Sequence, residues 1–482
     1  MSSRRPPSAD LARKAARGAA ALVFRQALVY GSNVVGGIVL ARLLTPSEFG
    51  FYGVVLFFVA FLNIFGGTGF ASNLIRIEEE ATLADYRAVF TAQQIGIGVL
   101  FAAVWLAAPR MGLAYHMQYG GVFFRLIGLA LVLTSLMVIP QVQMERELAF
   151  DKLAVVEATQ AVVFNFVSII LAWRGLGVLS FSIALACRAG IGAVLSNIME
   201  PWRMGWHWDK EALRRHLRFG LALQAGQLIS MAKDSITPVF VGLYLGAAQM
   251  GYVTWAVTLA GYPVMVLMPL QRLYMPFFAR LQSDRKELAR FASHAIWMAN
   301  AIAAPLTLTT MALAYPITSL IFGAKWLVAL PLFYCLSFGV MFSPSSTPLL
   351  GALNAVGKSN LTMLVSGMWM LTTWAFGVPL MMRFGLIGFG VATIFVQLTN
   401  LVVFWLAWNK LNISPWPAYW PSWPIAAILG LCLKMYEYLR PIRSTAMLIT
   451  CVAATFMVYG SILWFVFPRH TRAWVRILGR RS

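Results

Sequence analysis

An all-α, polytopic membrane protein is the fold class this sequence predicts, on three observations. About fourteen apolar stretches of roughly 20 residues tile the chain from Ala21 to Phe467, each long enough for one bilayer crossing. The 482 residues are 60% hydrophobic and only 11% charged, against roughly 25% charged in a soluble domain. The +21 net charge is unevenly spread: about 25 of the 38 Lys and Arg fall on one side of the apolar stretches, the positive-inside pattern. Lipid cannot satisfy open backbone groups, so stretches of this length are expected to be helices. The excess of positive charge then serves topology and the anionic cytoplasmic leaflet. No basic segment interleaves aromatics in a soluble fold, which argues against nucleic acid as a partner.

The expected spans are 21–43, 50–75, 87–108, 119–140, 153–173, 176–198, 217–245, 251–275, 293–322, 327–353, 360–382, 385–408, 421–439 and 445–467. An even count puts both basic tails, 1–20 and 468–482, on the cytoplasmic side, together with the basic loops 199–218 and 276–292. The opposite face has short loops with isolated charges such as Arg110, Arg174 and Lys325, too little chain for a catalytic domain. The span from Pro421 carries Lys434 and Glu437 near one end, where they can snorkel to the interface. A twelve-span core with a C-terminal pair, 409–467, follows. Cys187, Cys335, Cys432 and Cys451 all fall in expected spans without a CxxC, as small buried hydrophobes do. Neither a disulfide, a metal site nor a cofactor is expected. His207 and His216 share a basic loop without ligand spacing. The basic N-terminus lacks a small-residue cleavage site after a short apolar core and reads as a tail rather than a removable signal.

The chain also matches itself. At an offset of 201, Gln26 falls on Gln227, Asn33 on Asp234, Leu44 on Leu245, Gly50 on Gly251 and Phe51 on Tyr252; at 200, Met111-Gly-Leu-Ala-Tyr115 falls on Met311-Ala-Leu-Ala-Tyr315. Shared polar positions and a shared helix–short loop–Gly–aromatic hinge point to a six-plus-six duplication. Six spans return the chain to its starting side, so the halves, 21–198 and 217–408, are parallel repeats joined by a linker over 199–216. Halves related this way can rock about a central site, the logic of alternating access. An intramembrane charge costs roughly 2.5–3.5 kcal/mol on insertion scales and faces a protein-lined cavity more readily than lipid. The charges inside the spans therefore imply a polar interior, which a transporter needs and an anchor does not.

Leu40-Ala-Arg-Leu-Leu-Thr-Pro-Ser-Glu-Phe-Gly-Phe-Tyr52, followed by Phe65-Gly-Gly-Thr-Gly-Phe-Ala-Ser-Asn-Leu-Ile-Arg76, resembles the opening of Wzx-type polysaccharide flippases of the multidrug/oligosaccharidyl-lipid/polysaccharide exporter superfamily. Ala232-Lys-Asp234, Gly242-Leu-Tyr-Leu-Gly246, Met250-Gly-Tyr252 and Met275-Pro-Phe-Phe-Ala-Arg-Leu-Gln282 resemble the start of that family's second lobe. Phe322-Gly-Ala-Lys-Trp326 and Gly351-Ala-Leu-Asn-Ala-Val-Gly357 fit further on, and the likeness covers about residues 20–410. Much of each motif is turn chemistry, with Pro46 opening a tight loop and Gly50 letting the next helix begin; their order and spacing carry the resemblance. It implies two six-helix lobes forming a V-shaped central cavity, with two extra C-terminal transmembrane helices. It further implies a bacterial inner-membrane protein that translocates undecaprenyl-pyrophosphate-linked oligosaccharide, with a polysaccharide polymerase and export machinery as partners.

Such a substrate combines a long lipid tail, a pyrophosphate and a sugar chain. Moving it requires cations for the pyrophosphate and hydrogen-bonding groups for sugars, which lower the cost of desolvating a polar head. Gln26 and Asn33 share a face of span 1, as do Arg25 and Ser32. Gln224, Gln227, Ser230, Lys233 and Asp234 form a stripe on span 7, which the 201-residue shift superposes on the first. Arg25 and Lys233 are the expected pyrophosphate ligands, with Arg272 as an entry contact. Arg25 and Arg272 each have a second reading as residues snorkelling to headgroups. Lys233 and Asp234, as helix neighbours, are not expected to face each other. Asp234 either neutralises a cation from another helix or takes up a proton on closure, and Arg188 needs a partner or a cavity. Trp255, Tyr262, Trp297 and Trp369 are candidate sugar-stacking faces, whereas Trp416, Trp420 and Trp423 read as interfacial belt.

A drug or cation exporter would favour acidic groups, whereas the set recognised here, Arg25, Arg188, Lys233 and Arg272 against Asp234, is mostly basic. A membrane glycan polymerase or ligase would need an extracytoplasmic catalytic loop, and no nucleophile–base, paired-carboxylate or metal constellation is legible. The chain thus reads as a transporter and not an enzyme.

Overall fold

The computed structural model describes residues 28–65, 82–147, 149–208 and 228–466, together with Gln26 and Leu74. Every regular element among them is a helix. The chain divides into two compact units, Met1–Thr254 and Trp255–Ser482. This division falls inside one helix, downstream of the expected linker at 199–216.

The first unit contains α1 (Leu28–Leu43), α2 (Pro46–Phe65), α3 (Leu83–Ala114), α4 (Gly120–Ser135), α5 (Val138–Arg146), α6 (Phe150–Trp173), α7 (Leu179–Met199) and α8 (Leu228–Leu245). The sequence dictates where α2 starts. Thr45 and Glu48 form a capping box: the Glu48 carboxylate accepts from the Thr45 N–H at 2.8 Å, and Thr45 Oγ1 accepts from the Glu48 N–H at 3.3 Å. Pro46 occupies the first helical position, where a missing N–H costs nothing. The expected loop at Pro46–Gly50 is therefore helix, and Gly50 lies inside α2. Thr82 and Asp85 repeat the device at α3. The core between these helices is aromatic: Phe123 packs on Phe124 (5.2 Å) and Phe51 (6.0 Å), and Tyr52 stacks on Phe181 (5.1 Å) and Phe164 (6.4 Å).

Residues 46–53 approach residues 247–254, the start of α9 (Ala247–Met265), through the glycines that the repeat aligns. A Cβ on Gly50 would overlap the Ala247 carbonyl oxygen, and one on Gly251 would overlap that of Pro46. Pro46 and Ala247 are themselves one repeat interval apart, so the contact is reciprocal, as in an isologous interface. One helical turn on, Gly53 faces the Thr254 hydroxyl, again its counterpart at 201. Gly50 thus serves close backbone approach.

The second unit continues with α10 (Met268–Leu281), α11 (Arg285–Ala312), α12 (Leu330–Val340), α13 (Ser343–Ala355), α14 (Ser359–Leu398), α15 (Asn400–Leu411), α16 (Trp416–Leu439) and α17 (Thr445–Val466). Asp284 caps α11 by accepting from the Lys286 and Glu287 N–H groups. At ~1.5 Å per residue, the 40 residues of α14 would run ~60 Å, about twice the ~30 Å hydrocarbon core. Gly385 resolves this with a backbone conformation (φ 58°, ψ −135°) that breaks α14 near the boundary expected between two spans. That region is essentially glycine's alone. Gly385→Ala is expected to cost about 1–3 kcal/mol, read as a lower thermal midpoint of the purified protein; an unchanged midpoint would show the bend to be unstrained.

Polar side chains pin α16 to the rest of this unit. Asn300 on α11 is fully buried. It donates to Ser345 Oγ on α13 at 2.9 Å and accepts from Trp423 Nε1 on α16 at 2.7 Å. Tyr419 on α16 donates to the Met341 carbonyl at 2.9 Å, and elsewhere in the unit Ser346 on α13 donates to Asn400 Oδ1 on α15 at 2.7 Å. Trp423 is therefore a packing and hydrogen-bonding residue, not part of a belt, whereas Trp416 and Trp420 are exposed as a belt requires. Among the described residues, nine helices are long and apolar enough to cross a membrane, one of them the merged run Ser359–Leu411. Leu28–Leu43 and Pro46–Phe61 are shorter apolar helices. The protein is a multi-pass membrane protein.

Candidate functional site

Within the first unit, α1, α2 and α4 to α7 wall a cavity of about 300 Å³. Its polar lining is Asn33, Thr134, Gln141, Glu157, Gln160 and Arg188. The face of α6 that carries it follows from helical spacing: Glu157, Gln160, Asn165 and Ser168 recur on one stripe of a largely apolar helix. Asn165 Nδ2 donates to Ser32 Oγ at 3.0 Å and to Asn33 Oδ1 at 3.1 Å, tying α6 to α1. Gly36 makes that approach possible, because a Cβ there would overlap the Asn165 amide. Gly192 on α7 does the same for the Gln160 amide, whose Nε2 lies 3.3 Å from Met137 Sδ.

Arg188 on α7 lines this cavity, and so does Glu157 on α6. A lone guanidinium or carboxylate among apolar helices carries an uncompensated desolvation cost of several kcal/mol. Opposite charges facing one polar cavity reduce it for each other. Arg188 therefore has the polar cavity its sequence position demanded, and a carboxylate lines the same cavity. Glu157 was missed: the expected span 153–173 contains this carboxylate, and its helical register with Gln160 and Asn165 is the signal that would have found it. The intramembrane ionisable set is accordingly less one-sided than expected. Arg125, also inside an expected span, lies over the Trp105 ring at 4.9 Å, a cation–π contact that offsets part of the cost of its charge.

Of the expected site residues, Asn33 lines the cavity and Gln26 is buried near the start of α1. Arg25, Gln224 and Gln227 lie outside the described residues, as does the side chain of Arg272. Lys233 and Asp234 form an ion pair after all, Nζ to Oδ1 at 3.1 Å; the long lysine stem folds back, which the neighbour rule for helix faces does not forbid. Their side chains are 33% and 66% exposed, so the pair adds little to stability, and neither lines the cavity. Two of the expected sugar-stacking aromatics are core instead. Trp255 is stacked on Trp326 at 5.6 Å with an edge contact to Phe322, and Trp297 is buried among α11, α13 and α15 neighbours. Both are large apolar surfaces that packing claims first. Lys434 and Glu437 pair with each other.

Residues 39–331 match the family described as polysaccharide biosynthesis protein, well over half of the chain. The chain belongs to that family. Among curated relatives of this polysaccharide biosynthesis protein, lipopolysaccharide biosynthesis protein WzxC of Escherichia coli (strain K12) is 24% identical over 434 residues, covering 84% of this chain and 86% of the relative. Succinoglycan biosynthesis transport protein ExoT of Rhizobium meliloti (strain 1021) is 26% identical over 343 residues, covering 66% of this chain and 65% of ExoT. Among solved structures, the lipid II flippase MurJ in an inward closed conformation superposes with a TM-score of 0.75 over 93% of this chain and 99% of MurJ, at 12% identity. At that identity the likeness establishes a shared all-α fold.

Proposed function

We propose that the protein is a flippase that carries an undecaprenyl-pyrophosphate-linked oligosaccharide from the cytoplasmic to the outer leaflet by alternating access. The observation that carries the reading is a cavity bearing a guanidinium, a carboxylate and amides, walled by apolar helices, in a member of a polysaccharide biosynthesis family. A polar interior of this kind lowers the cost of taking a sugar–phosphate head out of water, and no covalent bond need be made or broken. The names of WzxC and ExoT agree with this role. The bacterial inner membrane, cytoplasmic termini, and polymerase and export machinery as partners belong to the same proposal.

Arg25 and Lys233 are proposed to meet the pyrophosphate, with Arg272 at entry and Gln26, Asn33, Gln224 and Gln227 as hydrogen-bonding groups. Asp234, paired with Lys233, would release it as the anion arrives. The test deletes the gene in the parent strain and re-expresses wild type, Arg25→Ala and Lys233→Ala at matched membrane abundance. Restored surface polysaccharide with wild type is expected. With either variant, about tenfold less polysaccharide should appear, each lost charged contact being worth about 1.5–3 kcal/mol, and lipid-linked intermediate should accumulate. Full restoration by both variants would remove these cations from the mechanism; no restoration by wild type would remove the flippase reading.

A further inference from the structure

We infer that the first-unit cavity is a glycan subsite, which takes one sugar ring through its hydroxyl groups and leaves the pyrophosphate to be bound elsewhere. The inference rests on the flippase reading and assigns the part of the substrate this cavity would hold. Charge is the first argument. The described lining carries one positive side chain, Arg188, and one negative, Glu157. A pyrophosphate drawn to Arg188 would meet a carboxylate in the same cavity, and like charges at close range in low dielectric repel strongly. A cationic ligand drawn to Glu157 would meet Arg188 in turn. A neutral ligand that both donates and accepts hydrogen bonds faces neither penalty.

The chemistry of the lining is the second argument. A guanidinium only donates, a carboxylate only accepts, and the amides of Gln141 and Gln160 and the hydroxyl of Thr134 do both. Vicinal hydroxyls of a pyranose present the complementary alternation of donors and acceptors. Leu185 and Met137 supply an apolar wall for the C–H face of the ring. Size is the third. A cavity of about 300 Å³ lies at the small end of ligand sites, room for about one ring rather than a chain of them. None of the four aromatic candidates for sugar stacking, Trp255, Tyr262, Trp297 and Trp369, lines this cavity, which leaves recognition there to planar polar groups.

The test uses the full-length protein in lipid nanodiscs and saturation-transfer difference NMR with two separate probes. One is the oligosaccharide repeat released by mild hydrolysis from the parent strain's own polysaccharide; the other is inorganic pyrophosphate. Ala189→Leu fills the cavity without changing its charge, and Glu157→Gln removes the carboxylate while keeping its shape. The oligosaccharide signal is expected to disappear in Ala189→Leu and its affinity to fall about tenfold in Glu157→Gln, the loss of one charge-assisted hydrogen bond. Pyrophosphate binding should be indifferent to both. An oligosaccharide signal unchanged in both variants overturns the inference. So does pyrophosphate that binds more tightly to Glu157→Gln, since that marks an anion site. Transport separates the two levels of the argument. Wild type and Ala189→Leu restoring surface polysaccharide equally would sink the subsite and spare the flippase reading, whereas no restoration by wild type would remove both.

Discussion

Gly251→Val is expected to destabilise the protein by about 3 kcal/mol, the upper end of the usual range for overpacking. The obstruction is backbone, not a side chain that can rotate away: a Cβ at Gly251 would overlap the Pro46 carbonyl oxygen, and Gly50 stands in the mirrored position against Ala247. Relief requires α2 and the start of α9 to move apart, which would also open the contact of Gly53 with Thr254. Gly261, in the same helix, has nothing within 4 Å of its would-be Cβ. Gly261→Ala should be neutral or stabilising by up to about 1 kcal/mol, the gain from replacing a helical glycine. Thermal unfolding of both variants in one detergent, followed by tryptophan fluorescence, is the measurement. Equal midpoints for the two would show that the glycine contact holds nothing together.

The second large effect belongs to Asn300. Asn300→Ala leaves the Trp423 indole N–H without its acceptor in a buried setting and removes the donor to Ser345. A buried polar group left unsatisfied costs about 1–3 kcal/mol, and the small cavity adds to it. A midpoint several degrees below wild type is expected, with easier proteolysis between α16 and α17. Because the two residues share one hydrogen bond, Asn300→Ala and Trp423→Phe together should cost less than their sum. An additive pair would mean that the Asn300–Trp423 hydrogen bond does not help to hold α16.

Both predictions turn on partners that no local pattern specifies. Apolar length marked the chain as a multi-pass membrane protein, and the repeat aligned Gly50 with Gly251, yet nothing in one dimension shows that the two aligned residues touch. Asn300 reads in sequence as ordinary helix–helix glue; its role depends on Trp423, 123 residues away. The site was legible to a similar degree. Asn33, singled out by its place on a polar face, and Arg188, a charge inside an apolar run, both line the cavity. Glu157 was within reach of the same reasoning, since a carboxylate one turn before Gln160 on α6 marks a polar stripe. The capping box at Thr45 and Glu48 was likewise present in the residues, and reading Pro46 as a turn signal obscured it. Lys233 and Asp234 show the limit of facial arguments, because a flexible lysine stem reaches a neighbour that its Cβ does not face.

By itself, the sequence determined the class of molecule: hydrophobic length marks a multi-pass, all-helical membrane protein, and the order and spacing of its motifs point to the family. These are properties of single segments interacting with lipid and water, so they survive without any knowledge of neighbours. The tertiary structure alone decided which charges share a cavity, which glycines bring backbones together, and which tryptophans are spent on packing. Those outcomes depend on pairs far apart in the chain, whose interaction energies exist only once the helices have met.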